Sequence, residues 1–229
     1  DAILTESVTA KGDLSRKRTI IVNEEETPEG VSKGIVQAVR GRFAEVDDGQ
    51  RIWPCTIRRV LRSMQIRERF PVACGDCVFF RIVDKKGVMA EGVIEKVEPR
   101  RSMLKRVTAR REHVIAANVD EVLIVSSAGE PRPKPHLIDR YLVAALAGNI
   151  RPSICMNKID LDEDGIADEI CQRYRDLGYR VYCTSTVTGH GVEELRRDLL
   201  IRDKSIVLAG QSGVGKSSVL NAIQPGLNL

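Results

Sequence analysis

Apolar residues change period partway along the chain. In five short runs, 34–40, 42–46, 51–61, 77–83 and 88–97, they alternate with polar residues, and the runs are separated by turn-forming residues. A period of two marks strands that bury one face. Five such strands in about 65 residues predict a small barrel, most simply an OB-fold. From Ala116 onward, short β-branched runs take turns with stretches at helical spacing. Strands are predicted at 121–126, 152–156, 181–186 and 205–209, with helices at 134–147, 162–177, 192–201 and 217–224. That alternation specifies a doubly wound parallel sheet. In the first helix Ile138, Leu142, Val143 and Leu146 recur at helical spacing and are predicted to be core.

The start of the chain fits neither pattern. A basic stretch, Lys11 to Arg18, precedes an acidic one, Glu24 to Glu29, with little apolar content. A disordered charged arm is therefore expected over 1–32. The barrel should occupy 33–99, a basic linker 100–113 and the α/β domain 114–229.

At 229 residues and 42% apolar content the chain suits two cores. No apolar run approaches the roughly 18 residues that span a bilayer, and the charged N-terminus has no signal-peptide core. A cytoplasmic protein without membrane contact is expected. Six scattered cysteines, several inside predicted strands, read as reduced core residues. Cys74 and Cys77 have the spacing of half a zinc site, but no second pair or nearby His completes four ligands. Gly75 and Asp76 between them make a good turn.

Charge separates the two halves. Residues 1–113 carry 23 Lys and Arg against 17 Asp and Glu, whereas residues 114–229 carry 13 against 15. The excess is clustered: Arg58, Arg59, Arg62, Arg67 and Arg69 in one stretch, then Arg100, Arg101, Lys105, Arg106, Arg110 and Arg111. Such a surface neutralises phosphates, and Arg58, Arg59, Arg62, Arg100 and Arg101 are the expected RNA contacts. A merely solvated basic face is the alternative. Phe43, Trp53, Phe70, Phe79 and Phe80 are candidate stacking platforms, most of them expected in the core.

The chemistry lies in the second half. Gly210-Gln211-Ser212-Gly213-Val214-Gly215-Lys216-Ser217, continued by Ser218, follows a predicted strand and opens a predicted helix. This is the phosphate-loop pattern. Glycines let successive N–H groups wrap phosphates above a helix N-terminus. Lys216 adds charge at the β- and γ-oxygens and is the catalytic candidate, while Ser217 is placed to ligate Mg²⁺. Upstream, Asn157-Lys158-Ile159-Asp160 ends another strand. A carboxylate at Asp160 can accept both donors of the guanine edge, which adenine does not offer. Asn157 would support the loop, the Lys158 stem would cover the ring, and N–H groups of Ser185 and Thr186 would meet O6. Taken alone, a helix cap around Asp160 or Asp162 explains these residues equally well.

The order of the motifs is inverted relative to ordinary GTPases, and with the barrel before them the chain resembles the RsgA (YjeQ) family of circularly permuted GTPases. The resemblance runs from Gly34 to the C-terminus. It is most specific in Glu91-Gly92-Val93-Ile94-Glu95, Pro99-Arg100-Arg101-Ser102, Ala116-Ala117-Asn118-Val119-Asp120 and Ile138-Asp139-Arg140-Tyr141-Leu142. It implies an OB-fold barrel followed by a permuted Ras-like GTPase domain. It also implies GTP/GDP and Mg²⁺ as ligands, GTP hydrolysis stimulated by the 30S subunit, contact with 16S rRNA through the OB domain, and a role in late subunit assembly; a monomer is expected. Within the family Cys74 and Cys77 match no ligand position. The family's switch threonine, its DxxG switch and its zinc domain are not in this sequence. Zn²⁺ is thus expected only in that absent domain, and the phosphate-loop strand is expected as a sheet edge. The given stretch is expected to be part of a longer protein, inactive or very slow by itself. The alternatives are a guanine-nucleotide and RNA-binding module without turnover, and an adenine-specific P-loop kinase or ATPase.

Overall fold

The computed structural model describes residues 2–8, 16–22, 30–57, 72–83, 91–108, 111–199 and 204–225. Within the arm expected to be disordered, β1 (Ala2–Val8) and β2 (Arg16–Val22) pair antiparallel, from Ala2 opposite Val22 to Val8 opposite Arg16. Ile3, Leu4, Ile20, Ile21 and Val22 supply the β propensity that the charge runs obscured.

The barrel consists of β3 (Ser32–Arg40), β4 (Phe43–Asp47), β5 (Ile52–Ile57), β6 (Cys77–Val83) and β7 (Glu91–Val97), closed in the order β3-β4-β5-β7-β6. Only β5 and β7 run parallel among its pairs. Alternation in β4 and β5 turns Ala44, Val46, Trp53, Cys55 and Ile57 into an interior shared with Val36, Val78, Phe80 and Ile94. Trp53 and Phe80 are therefore core, whereas Phe43 is 54% exposed. The indole N–H of Trp53 donates to Asp48 at 2.6 Å, and the Arg51 guanidinium stacks 3.3 Å over its ring.

Between the domains, the expected linker contains an antiparallel ribbon of β8 (Met103–Thr108) and β9 (Arg111–Ala117). It buries Leu104, Ala116 and Ala117.

The second domain is a four-stranded parallel sheet ordered β12-β11-β10-β13. Its strands are β10 (Glu121–Ser127), β11 (Arg151–Asn157), β12 (Arg180–Cys183) and β13 (Ile206–Ala209). Every residue of β10 is buried, as expected for a strand covered on both faces. Val122 and Ile124 point to one layer with α1 (Pro135–Ala147) and α2 (Ile166–Asp176). Leu123 and Val125 point to the other, with α3 (Val192–Leu199) and α4 (Lys216–Ile223). The phosphate-loop strand β13 pairs only with β10 among the described residues, at the expected edge. The α1 prediction needs correction. Ile138, Leu142 and Ala145 form its buried stripe, while Val143 and Leu146 are 66% and 56% exposed. At 100° per residue, both fall to the side of a stripe spaced four and three apart.

A polar joint fixes the barrel to this domain. The fully buried Asp76 carboxylate accepts the Ala73 N–H at 2.7 Å and both Nε and Nη2 of Arg100, at 2.7 and 2.9 Å. Beside it Asn118 donates to the Gly75 carbonyl at 2.9 Å, and the Ala117 N–H to the Cys74 carbonyl at 2.8 Å. Asp120 takes the guanidinium of Arg101 and the N–H of Ser205, which leads into β13. The Arg101 hydrogen bond, with those from Ser205, holds the Asp120 carboxyl down to about 2. A depressed folded value means that this contribution is complete above about pH 4 and is lost as pH falls toward 2.

This joint takes one residue, Arg100, out of the expected RNA face. The Arg100 side chain is 8% exposed and turned inward onto Asp76, so its charge is not presented to a polyanion. Arg101 is 59% exposed but bound to Asp120 and to the Asn118 carbonyl. Arg58, Arg59 and Arg62, like Arg67, Arg69, Phe70 and Arg110, lie outside the described residues.

Candidate functional site

The phosphate loop leaves β13 at Gly210, whose φ is 150° and where a Cβ would stand 2.2 Å from the Val125 carbonyl oxygen. Only glycine fits there. Val214, fully buried, pins the middle of the loop. Gly215, at φ 93°, then caps α4. Gln211 and Lys216 are half-buried, while Ser212, Gly213, Ser217 and Ser218 are exposed. The Lys216 ammonium donates to the Gly210 and Gln211 carbonyls at 3.1 and 2.8 Å, which carries its charge across the mouth of the loop.

The second motif meets this loop directly. Asn157, fully buried at the end of β11, donates from Nδ2 to the Val214 carbonyl at 3.0 Å. A Cβ on Gly215 would come within 2.5 Å of that nitrogen, so two sequence-distant motifs share one close contact. Lys158, in the left-handed region at φ 62°, sends its ammonium to the carbonyls of Glu130 and Gly213 at 2.6 and 2.8 Å. Asp160 lies in a single 3₁₀ turn, Ile159–Leu161. Its carboxylate is exposed and takes no hydrogen bond among the described residues. The cap belongs to Asp162, which accepts the N–H groups of Ala167 and Asp168 at 3.1 Å each.

The third segment is only partly as predicted. The Ser185 N–H donates to the His190 carbonyl at 3.0 Å, inside its own loop, so of the pair expected at O6 only that of Thr186 stays in place for a ligand. Ser185 is buried, and its hydroxyl accepts the Thr188 N–H at 3.1 Å. Sequence inspection missed Thr184, whose buried hydroxyl donates to Asn157 Oδ1 at 3.3 Å. Its position immediately before Ser185 was the signal. An Asn157→Ala substitution should cost about 2 kcal/mol, because it orphans the Val214 carbonyl and leaves the Thr184 hydroxyl with only the Cys155 sulfur, at 3.2 Å, as a partner. Chemical denaturation of the two proteins checks this.

The hydroxyl of Ser217, exposed in the first turn of α4, takes no hydrogen bond among the described residues. That fits a cation held mainly by phosphate oxygens. Among the described residues no group of three or more His, Cys, Asp or Glu gathers into a metal cluster. Cys74 donates to the Gln37 carbonyl at 2.9 Å. Burial pushes the thiols of Cys55 and Cys155 up to about 12, as suits reduced core residues.

A parallel sheet whose Asn-Lys-x-Asp strand comes before its phosphate-loop strand, preceded by a closed five-stranded barrel, defines a circularly permuted P-loop protein. The RsgA GTPase family model matches residues 97–229. The chain belongs to that family.

Three relatives, each named small ribosomal subunit biogenesis GTPase RsgA, illustrate the match. The protein of Chlorobaculum parvum is 38% identical over 199 residues, covering 83% of this chain and 63% of its own. That of Shewanella oneidensis is 41% identical over 187 residues, covering 79% and 49%. That of Chlorobaculum tepidum is 42% identical over 199 residues, covering 83% and 63%. The chain thus spans about half to five-eighths of these curated relatives.

Two crystal structures share the architecture. YjeQ from Thermotoga maritima has a TM-score of 0.62 at 32% identity, covering 87% of this chain and 67% of that one. YloQ, a circularly permuted GTPase, has a TM-score of 0.58 at 30% identity, covering 90% and 68%.

Proposed function

We propose that this protein binds and hydrolyses GTP as a maturation factor of the small ribosomal subunit, acting in the cytoplasm as a monomer, with the barrel side contacting 16S rRNA in the 30S particle. The observation that carries the nucleotide reading is the joining of the two motifs. Asn157 holds Val214, Lys158 holds Gly213, and the Asp160 carboxylate stands exposed beside them. The names of the relatives support the ribosomal half.

Each residue then has a defined task. The loop 210–217 wraps the α- and β-phosphates with backbone N–H groups at the start of α4. Lys216 exchanges its two carbonyl partners for β- and γ-oxygens and stabilises charge as it develops there. Asp160 accepts from N1–H and N2–H₂ of guanine, the Lys158 stem covers the ring, and the Thr186 N–H meets O6. Mg²⁺, held by Ser217 and the phosphates, supplies neutralisation of the β/γ oxygens.

The test uses the full-length protein. GDP should bind at least about 100-fold more tightly than ADP, as rejection of an analogue lacking paired donors requires. Added 30S subunits should raise GTP turnover. Equal affinities for GDP and ADP would overturn the guanine assignment. Binding without any rise in turnover would instead favour a nucleotide-retaining RNA-binding module.

A further inference from the structure

Two of the six cysteines stand apart from the rest. Cys171, buried on α2, and Cys183, half-buried at the end of β12, bring their sulfurs within 3.5 Å. Arg175, one helical turn beyond Cys171 on the same face, donates from Nη2 to the Cys183 sulfur at 3.0 Å. The Cys171 hydrogen bond and the Arg175 cation together pull the Cys183 thiol below its ordinary value, against desolvation and the Asp168 carboxylate. The same hydrogen bond, with burial, pushes Cys171 up. One sulfur is therefore a ready nucleophile and its neighbour a protonated thiol, the arrangement of an attacking and a resolving cysteine. Among the described residues Cys55 and Cys155 have no such cation, and burial pushes both the opposite way.

We propose that Cys171 and Cys183 form a reversible disulfide when the protein meets a peroxide, and that this bond disturbs the base-recognition loop beginning at Thr184. The Cys183 thiolate attacks one peroxide oxygen, so an S–O bond forms as the O–O bond breaks, and with one proton taken up, water leaves. Sulfur is now a sulfenic acid. Cys171 then attacks that sulfur, an S–S bond forms, the S–O bond breaks, and hydroxide departs with the Cys171 proton as a second water. Two thiols lose two electrons in total and the peroxide gains them. The sulfurs must close from 3.5 Å to about 2.05 Å, which pulls β12 toward α2. Thr184 follows Cys183 directly and holds both Asn157 and the Met156 carbonyl, so the displacement reaches the Asn157 contact with the phosphate loop.

Only the second half of this proposal rests on the nucleotide assignment, and separate readouts test the two halves. Treating the full chain with hydrogen peroxide should give a mass loss of about 2 Da, with the bridge mapped to Cys171 and Cys183 and reversed by dithiothreitol. Cys171→Ser should stop the reaction at a Cys183 sulfenic acid that dimedone traps. Arg175→Ala, which keeps both thiols, should slow capture of Cys183 by about tenfold. Oxidised protein should bind GDP several-fold more weakly, with affinity restored on reduction.

A bridge elsewhere, or Cys183 reacting no faster than Cys55 and Cys155, would overturn the disulfide. A mapped bridge that leaves GDP affinity unchanged overturns the link to the loop alone. Weak GDP binding by the reduced protein would count against the nucleotide assignment instead.

Discussion

Replacing Asp160 by asparagine is expected to lower GDP affinity by about 10² to 10³-fold while raising affinity for xanthosine diphosphate. The carboxylate offers two acceptors to two guanine donors, and hydrogen bonds to a charged partner contribute about 1.5 to 3 kcal/mol each. Asparagine keeps one acceptor but turns an N–H₂ toward the N2 amine, so donor faces donor. Xanthine has a carbonyl at that position and restores the pair. The substitution should leave the fold intact, because the Asp160 carboxylate is exposed and makes no hydrogen bond among the described residues. Titration of both nucleotides by calorimetry, beside thermal unfolding of the free protein, separates the effects. A variant that still prefers GDP as strongly as its parent would remove Asp160 from base recognition.

The largest loss of stability should come from the other domain. Asp76→Ala removes the carboxylate that accepts both Nε and Nη2 of an arginine whose side chain is 8% exposed, and breaking a buried charge pair by removing one partner costs about 3 to 5 kcal/mol. For a chain of this size that lowers the unfolding midpoint by about 10 °C. The Ala73 N–H loses its acceptor as well. Removing both charges, with Asp76→Leu and Arg100→Met, should recover much of the loss, since a well-packed apolar pair has no desolvation to offset. Circular dichroism melts of the three proteins decide the matter. An Asp76→Ala midpoint within a degree of the parent's would mean that the pair does not hold the joint.

Features encoded locally were legible in the sequence. The period of two in β4 and β5, the β-branched run of β10 and the glycine spacing at 210–215 depend on neighbours in the chain, and each element formed within a few residues of its expected place. Features set by distant partners were not legible. Asp76 was read only as a turn residue because Arg100, which makes it a buried anchor, lies 24 positions away. Arg100 looked like a phosphate contact because a count of charges does not reveal which carboxylate will meet it. The ribbon β8–β9 is rich in Lys and Arg, and its alternation is interrupted by a register shift between Leu104 and Lys105.

The site divided along the same line. Asn157, Lys158 and Lys216 came from motifs, whereas the burial of the Ser185 N–H in its own loop depends on the turn that returns His190. Val143 and Leu146 show that helical spacing fixes a stripe only after the facing strand has chosen which side to cover.

The sheet order has a consequence for synthesis. Strand β10 is wholly buried between β11 and β13, yet β13 follows it in the chain by some eighty residues. As the polypeptide emerges from N- to C-terminus, the base-reading strands can pair first, while β10 keeps an open edge until residues 206–209 arrive to cover it. The Val214 carbonyl that satisfies Asn157 arrives later still. The phosphate side of the nucleotide grip therefore joins after the base-reading side, and a nascent chain that has not yet extended past Lys216 has no phosphate loop with which to retain a nucleotide.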